Sequence, residues 1–186
     1  LESQLERSPE SSKLYEQLIE FYGITGQQDK VGPLLEKAIA SRPEAVALRL
    51  QLAKHWQQTG KTSEACDQYL VLMKQKPDWI FDDFYQIRNL FQAAKRNDDV
   101  VAALKTMNLK SISQPYYIID FVGNLLNDPS SEAIGLELLD KVIEAYPSYR
   151  ANLISNIQNP KLWQSESFFE LGKRMVIPTE ADLKAN

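Results

Sequence analysis

SKLYEQLIEFYGITGQQDKVGPLLEKAIASRPEA (residues 12–45) runs straight into VALRLQLAKHWQQTGKTSEACDQYLVLMKQKPDW (46–79). Laid one over the other, the two stretches place Leu18 on Leu52, Ile19 on Ala53 and Tyr22 on Trp56. The same shift brings Val31 onto Ala65, Leu35 onto Tyr69 and Ala38 onto Leu72. Pro9, Pro43 and Pro77 are evenly spaced by that same shift, and it also carries Gly26 onto Gly60. Large, small and aromatic positions meet their like at one offset, which marks an internal repeat.

Each period contains two apolar stripes at helical spacing. Leu14, Leu18 and Tyr22 form the first; Leu34, Leu35, Ala38 and Ile39 form the second. The polar GITGQQDK between them has the length of a helix–helix connection. One period is therefore a helical hairpin that needs a neighbour to cover its apolar face. With Y15-x2-L18-I19-x2-Y22, V31-x3-L35-x2-A38 and P43, then R49-x2-L52-A53-x2-W56, A65-x3-Y69-x2-L72 and P77, the sequence resembles the tetratricopeptide repeat (TPR) family. Ile19, Arg49 and Leu72 depart from the family pattern and suggest looser packing. The resemblance implies an all-α, right-handed superhelical solenoid of antiparallel helix hairpins, with nine to eleven helices.

Two further periods follow less faithfully. DDFYQIRNLFQAAKRNDDVVAALKTM (82–107) carries Phe84, Ile87, Phe91, Val100, Leu104 and Met107 one residue late, with Ile112 where the closing proline belongs. Ile119, Val122, Gly123 and Leu126, then Gly135, Leu139, Val142 and Pro147, restore the pattern. The expected organisation is the end of an upstream repeat helix (1–11), TPR-like repeats at 12–45 and 46–79, a degenerate one at 80–114, another repeat at 115–149, and capping helices with a tail at 150–186. Leu1 and Leu5 fall one period before Leu35 and Ile39, so residues 1–9 read as the last part of a preceding helix. A start at Leu1 inside helix-patterned sequence is expected of a piece of a longer protein. Helices are expected at 151–158 and 162–175, on either side of Asn159–Pro160.

Composition bounds the function. The 186 residues are 44% hydrophobic and 25% charged, as in a folded domain rather than a disordered one. The net charge of −4 removes any overall pull toward nucleic acid, and no nucleic-acid partner is expected. The longest apolar stretch, Tyr116 to Val122, is interrupted by Asp120 and is too short to span a bilayer. No membrane contact is expected. One cysteine makes no internal disulfide, so the fold needs no oxidising compartment, and a cytoplasmic setting is the expectation.

Gly60-Lys61-Thr62 is how a phosphate-binding loop ends. That motif needs an earlier glycine where His55 stands, and a preceding strand where the pattern is helical. Gly60 instead matches Gly26, so it is expected to end a helix at positive φ, with Thr62 or Ser63 capping the next. His55 is the only histidine and reads as a surface or groove-edge residue; Cys66 reads as a small buried one. Asp82–Asp83 and Asp98–Asp99 are expected at helix starts, capping N–H groups and complementing the dipole. No nucleophile–base pair, metal site or cofactor is expected, and the protein is expected not to be an enzyme.

In the TPR family the first helix of each repeat lines a concave groove. Carried over residue by residue, the resemblance implies that Lys13, Glu16, Gln17 and Glu20 face it from the first repeat, and Ala47, Leu50, Gln51 and Lys54 from the second. Asp82, Tyr85, Gln86 and Asn89 follow, then Tyr117, Asp120, Phe121 and Asn124. The peptide-binding set expected among them is Leu50, Gln51, Lys54, Tyr85, Asn89, Tyr117, Phe121 and Asn124. Amides would bond a peptide backbone while aromatics hold its side chains. Glu16 and Glu20 would repel the acidic chaperone tails that one TPR subclass binds, and would suit a basic residue. The expected function is a scaffold binding a peptide or helix of another protein. The alternative is a spacer or assembly element that positions another domain or self-associates.

Overall fold

The computed structural model describes residues 1–8, 11–77, 84–166, 169, 172 and 173, with residue 12 by its backbone alone. All regular structure among them is helical. The chain forms two compact units, Leu1–Ala94 and Lys95–Asn186.

The first unit holds α1 (Glu2–Arg7), α2 (Ser12–Ile24), α3 (Gln28–Ser41), α4 (Val46–Gln58), α5 (Thr62–Gln75) and α6 (Phe84–Ala93). Each packs on the one that follows it. The period of the sequence is reproduced to the residue: α2 and α4 both have 13 residues, α3 and α5 both have 14, and every bound of the first pair falls one period before its counterpart. Most of the stripe residues read from the sequence are in the core, while Leu14 and Leu34 are half-buried. Leu18, Tyr22, Leu35 and Ala38 are buried in the first repeat, and Leu52, Ala53, Trp56, Tyr69 and Leu72 in the second. Leu72, whose bulk suggested looser packing, is 1% exposed.

The turns repeat as closely as the helices. Thr25 and Thr59 each bond their hydroxyl to the carbonyl four residues back, at 2.8 and 2.9 Å. Gly26 (φ 71°) and Gly60 (φ 79°) then take the left-handed conformation, which spares a Cβ clash. Gln27 N–H donates to the Tyr22 carbonyl at 2.9 Å and Lys61 N–H to that of Trp56 at 2.8 Å. Gly60-Lys61-Thr62 is thus the same helix-to-helix turn as Gly26-Gln27-Gln28. Neither Thr62 nor Ser63 caps α5, because the helix begins at Thr62 and Lys61 holds the cap position without a side-chain bond.

Four helices end alike ahead of a proline, whereas the helix Tyr116–Asn127 ends on Asp128, before Pro129, at φ −100° and ψ 115°. Ser8, Arg42, Lys76 and Tyr146 sit at φ between −132° and −148° and ψ between 66° and 74°, each one residue before Pro9, Pro43, Pro77 or Pro147. The proline ring disfavours helical geometry in the preceding residue.

The second unit contains α7 (Asn97–Thr106), α8 (Tyr116–Asn127), α9 (Glu132–Ala145), α10 (Arg150–Asn156) and the short α11 (Pro160–Trp163). Here the punctuation changes. Lys95 occupies the left-handed turn position at φ 57°, one residue late as the sequence implied. Lacking a proline, α7 leaves through extended Met107 into a single 3-10 turn, Leu109–Ser111. Its last carbonyls are met from α9: the Lys141 ammonium donates to Leu104 O (3.1 Å), Met107 O (2.7 Å) and Lys105 O. Between α8 and α9 the turn is built on Asp128, whose carboxylate accepts from Ser130 N–H at 2.9 Å and its hydroxyl at 2.8 Å. These bonds hold the Asp128 carboxyl below the usual range.

Asp98 and Asp99 lie in the first turn of α7, where they complement its dipole. They do not cap it: Arg96 is at the cap, and its guanidinium pairs with Asp99 at 2.6 Å. Asp82–Asp83 lies outside the described residues. Pro160, expected to separate two helices, starts α11, with the Asn159 side chain accepting from Lys161 and Leu162 N–H. The Asn159 amide also donates to Leu126 O at 3.0 Å and to Glu132 at 2.9 Å, which ties this segment to α8 and α9.

Candidate functional site

Two clefts open on the first unit, one on each side of α4. The first, of about 250 Å³, has a floor of Ile19 and Gly23 from α2 with Val31 and Leu35 from α3. Gln28 joins Gln51, Lys54, His55 and Gln58 of α4 around its rim. The second, of about 480 Å³, is lined by Lys54, Gln57 and Gln58 of α4, Tyr69 of α5, and Gln86 and Ile87 of α6. Lys54 and Gln58 belong to both, so the clefts form one strip across α4.

Helical periodicity explains the strip. Leu52, Ala53 and Trp56 commit one face of α4 to the core, leaving Gln51, Lys54 and Gln58, at spacings of three and four, on the opposite side. Glutamine dominates the walls, and each amide both donates and accepts. Gln57 is already set in place by the Tyr69 hydroxyl, which donates to its side-chain oxygen at 3.1 Å. His55 lies against α3, where its ring is 3.5 Å from the point a Cβ on Gly32 would occupy. Burial, followed by the nearby Lys61 charge, lowers its pKa below 6.5 and favours the neutral ring. Among the described residues, no carboxylate lines either cleft.

The expected groove residues divide between the units. Gln51 and Lys54 line the clefts and Leu50 is half-buried beside them on α4. Tyr85 is 41% exposed, with the Arg88 guanidinium 5.1 Å above its ring. Asn89 is exposed and accepts from Arg88 at 3.4 Å. In the second unit Tyr117 is half-buried and stacks edge-on to Tyr116.

Two of the expected residues are otherwise engaged. Phe121 is 1% exposed and belongs to the core, because Ile118, Ile119, Val122, Leu125 and Leu126 around it are buried as well and α8 is covered on more than one face. Asn124 is exposed but spends its amide donors on its own helix, on Asp120 O at 2.7 Å and the Asp120 carboxylate at 3.1 Å.

Sequence reasoning missed Gln28, Gln57 and Gln58 as wall residues. The available signal was the glutamine pairs at 27–28 and 57–58, which flank helix ends on the same side of successive repeats. Among the described residues, no group of three or more His, Cys, Asp or Glu is placed to hold a metal ion. None of their helices is long and apolar enough to cross a membrane. Compared with protein-family models and with curated protein sequences, the chain matches none.

Proposed function

We propose that the chain is a non-enzymatic scaffold of tetratricopeptide-repeat type that receives a peptide or helix of a partner protein in the strip across α4. The observation that carries this reading is the pair of clefts sharing Lys54 and Gln58, the first with an apolar floor and both with amide walls. Apolar floors take side chains, and amides bond a main chain without demanding a sequence. Support for the repeat type comes from helix bounds and turn geometry that recur with the period of the sequence.

The test is affinity capture from lysate with the parent chain and with a Gln51→Ala, Lys54→Ala, Gln86→Ala variant. All three side chains are exposed, so the variant should keep the parent's helical content. A partner held by the parent and lost by the variant is the expected result. Equal retention by both would move the interface elsewhere and favour an assembly element, for which Tyr116 and Trp163 of the second unit, 49% and 46% exposed, are the apolar contacts on offer.

A further inference from the structure

The cleft between α2 and α4 also has a charge signature. On α2, Glu16 precedes Ile19 by three residues and Glu20 precedes Gly23 by three. Residues so spaced are neighbours on a helix, with Cβ atoms about 5–6 Å apart. Both carboxylates are exposed, and neither makes a hydrogen bond or an ion pair among the described residues. Lys13, one turn before Glu16, pairs with neither. Lys54 stands on the opposite wall of the cleft and has an interaction within the protein. Along the α2 edge of the apolar floor, the two exposed carboxylates outnumber the single lysine, so that edge carries net negative charge.

Resting on the groove reading above, we infer that the segment bound here is a basic one, with an apolar side chain on Ile19 and Gly23 and a Lys or Arg beside it facing Glu16 and Glu20. An extended chain advances about 3.3 Å per residue, so the basic residue falls two or three positions from the apolar one.

The test uses the whole chain and a display library of short random peptides. Gly23→Phe is the cleft-filling variant: a Cβ added at Gly23, which lines the cleft, meets nothing within 4 Å, so the substitution begins in open space. Gly23→Met, selected alongside, guards against a misfolded Phe variant, and both are checked for the parent's helical content. Peptides that bind the parent and are lost on cleft filling should be enriched in Lys or Arg two or three positions from Leu, Ile, Met or Phe. Their affinity should fall about three- to tenfold in Glu16→Gln, Glu20→Gln, the worth of one or two surface ion pairs. Cleft-dependent peptides without basic residues, or indifferent to the double Gln change, would overturn this inference and leave the groove reading standing. If no selected peptide responds to cleft filling, the groove reading fails and the basic partner with it.

Discussion

His55 is the only histidine, the side-chain type whose ordinary pKa of about 6.5 lies nearest neutrality. Its folded pKa lies below the ordinary value, so the unfolded chain binds its proton first. The His55 contribution to stability should therefore be complete above about pH 7 and decline as pH falls below the ordinary histidine value of about 6.5. Urea midpoints taken from about pH 7 downward should slope less for His55→Gln than for the parent. Lys95 offers a second test at this scale, because a side chain at φ 57° is strained. Lys95→Gly should gain about 0.5–1 kcal/mol in chemical denaturation, the left-handed cost less glycine's extra ordering entropy. Residue roles were legible where a single face was buried. Gln51 and Lys54 follow from the helical period of α4. Phe121 did not follow, because position in a repeat shows which way a side chain points only when that side is open.

The turns and caps decide behaviour at the scale of elements. Gly60→Ala forces an alanine to φ near 79° and should cost about 1–2 kcal/mol, whereas Lys61→Ala should stay within about 0.5 kcal/mol. Mg-ATP should leave the thermal midpoint unchanged; a saturable rise would restore the phosphate-loop reading of this turn. On α9, Lys141→Met keeps the aliphatic stem but strips three carbonyls of their charged donor. The expected loss is about 1–3 kcal/mol, and an unchanged urea midpoint would show that water serves those carbonyls as well. Helix bounds in the first unit could be read from proline and glycine alone. In the second unit a lysine stands in for glycine, Asp128 builds a different turn, and a lysine from another helix closes α7. No local sequence pattern announces such substitutes.

At the scale of the whole first unit, helices that are neighbours in sequence are neighbours in space, so its stability is distributed rather than pooled in one core. In the first unit α4 and α5 are flanked by helices on both sides, while the six-residue α1 rests on α2 through Leu5. Native-state hydrogen exchange should find the slowest amides in α4 and α5 and the fastest in α1. Uniform protection from α1 to α5 would instead indicate a single cooperative block. The recurrence of one exit geometry at Ser8, Arg42 and Lys76 sets how this chain tolerates changes in length. A duplication or deletion of one whole period inside the first unit rejoins like to like and preserves the order of every face downstream. A change of another length inside a helix rotates the residues after it out of register within that helix. Viable length changes inside α2 to α5 should therefore come as whole periods, while single-residue changes should be confined to the connections, as at Lys95.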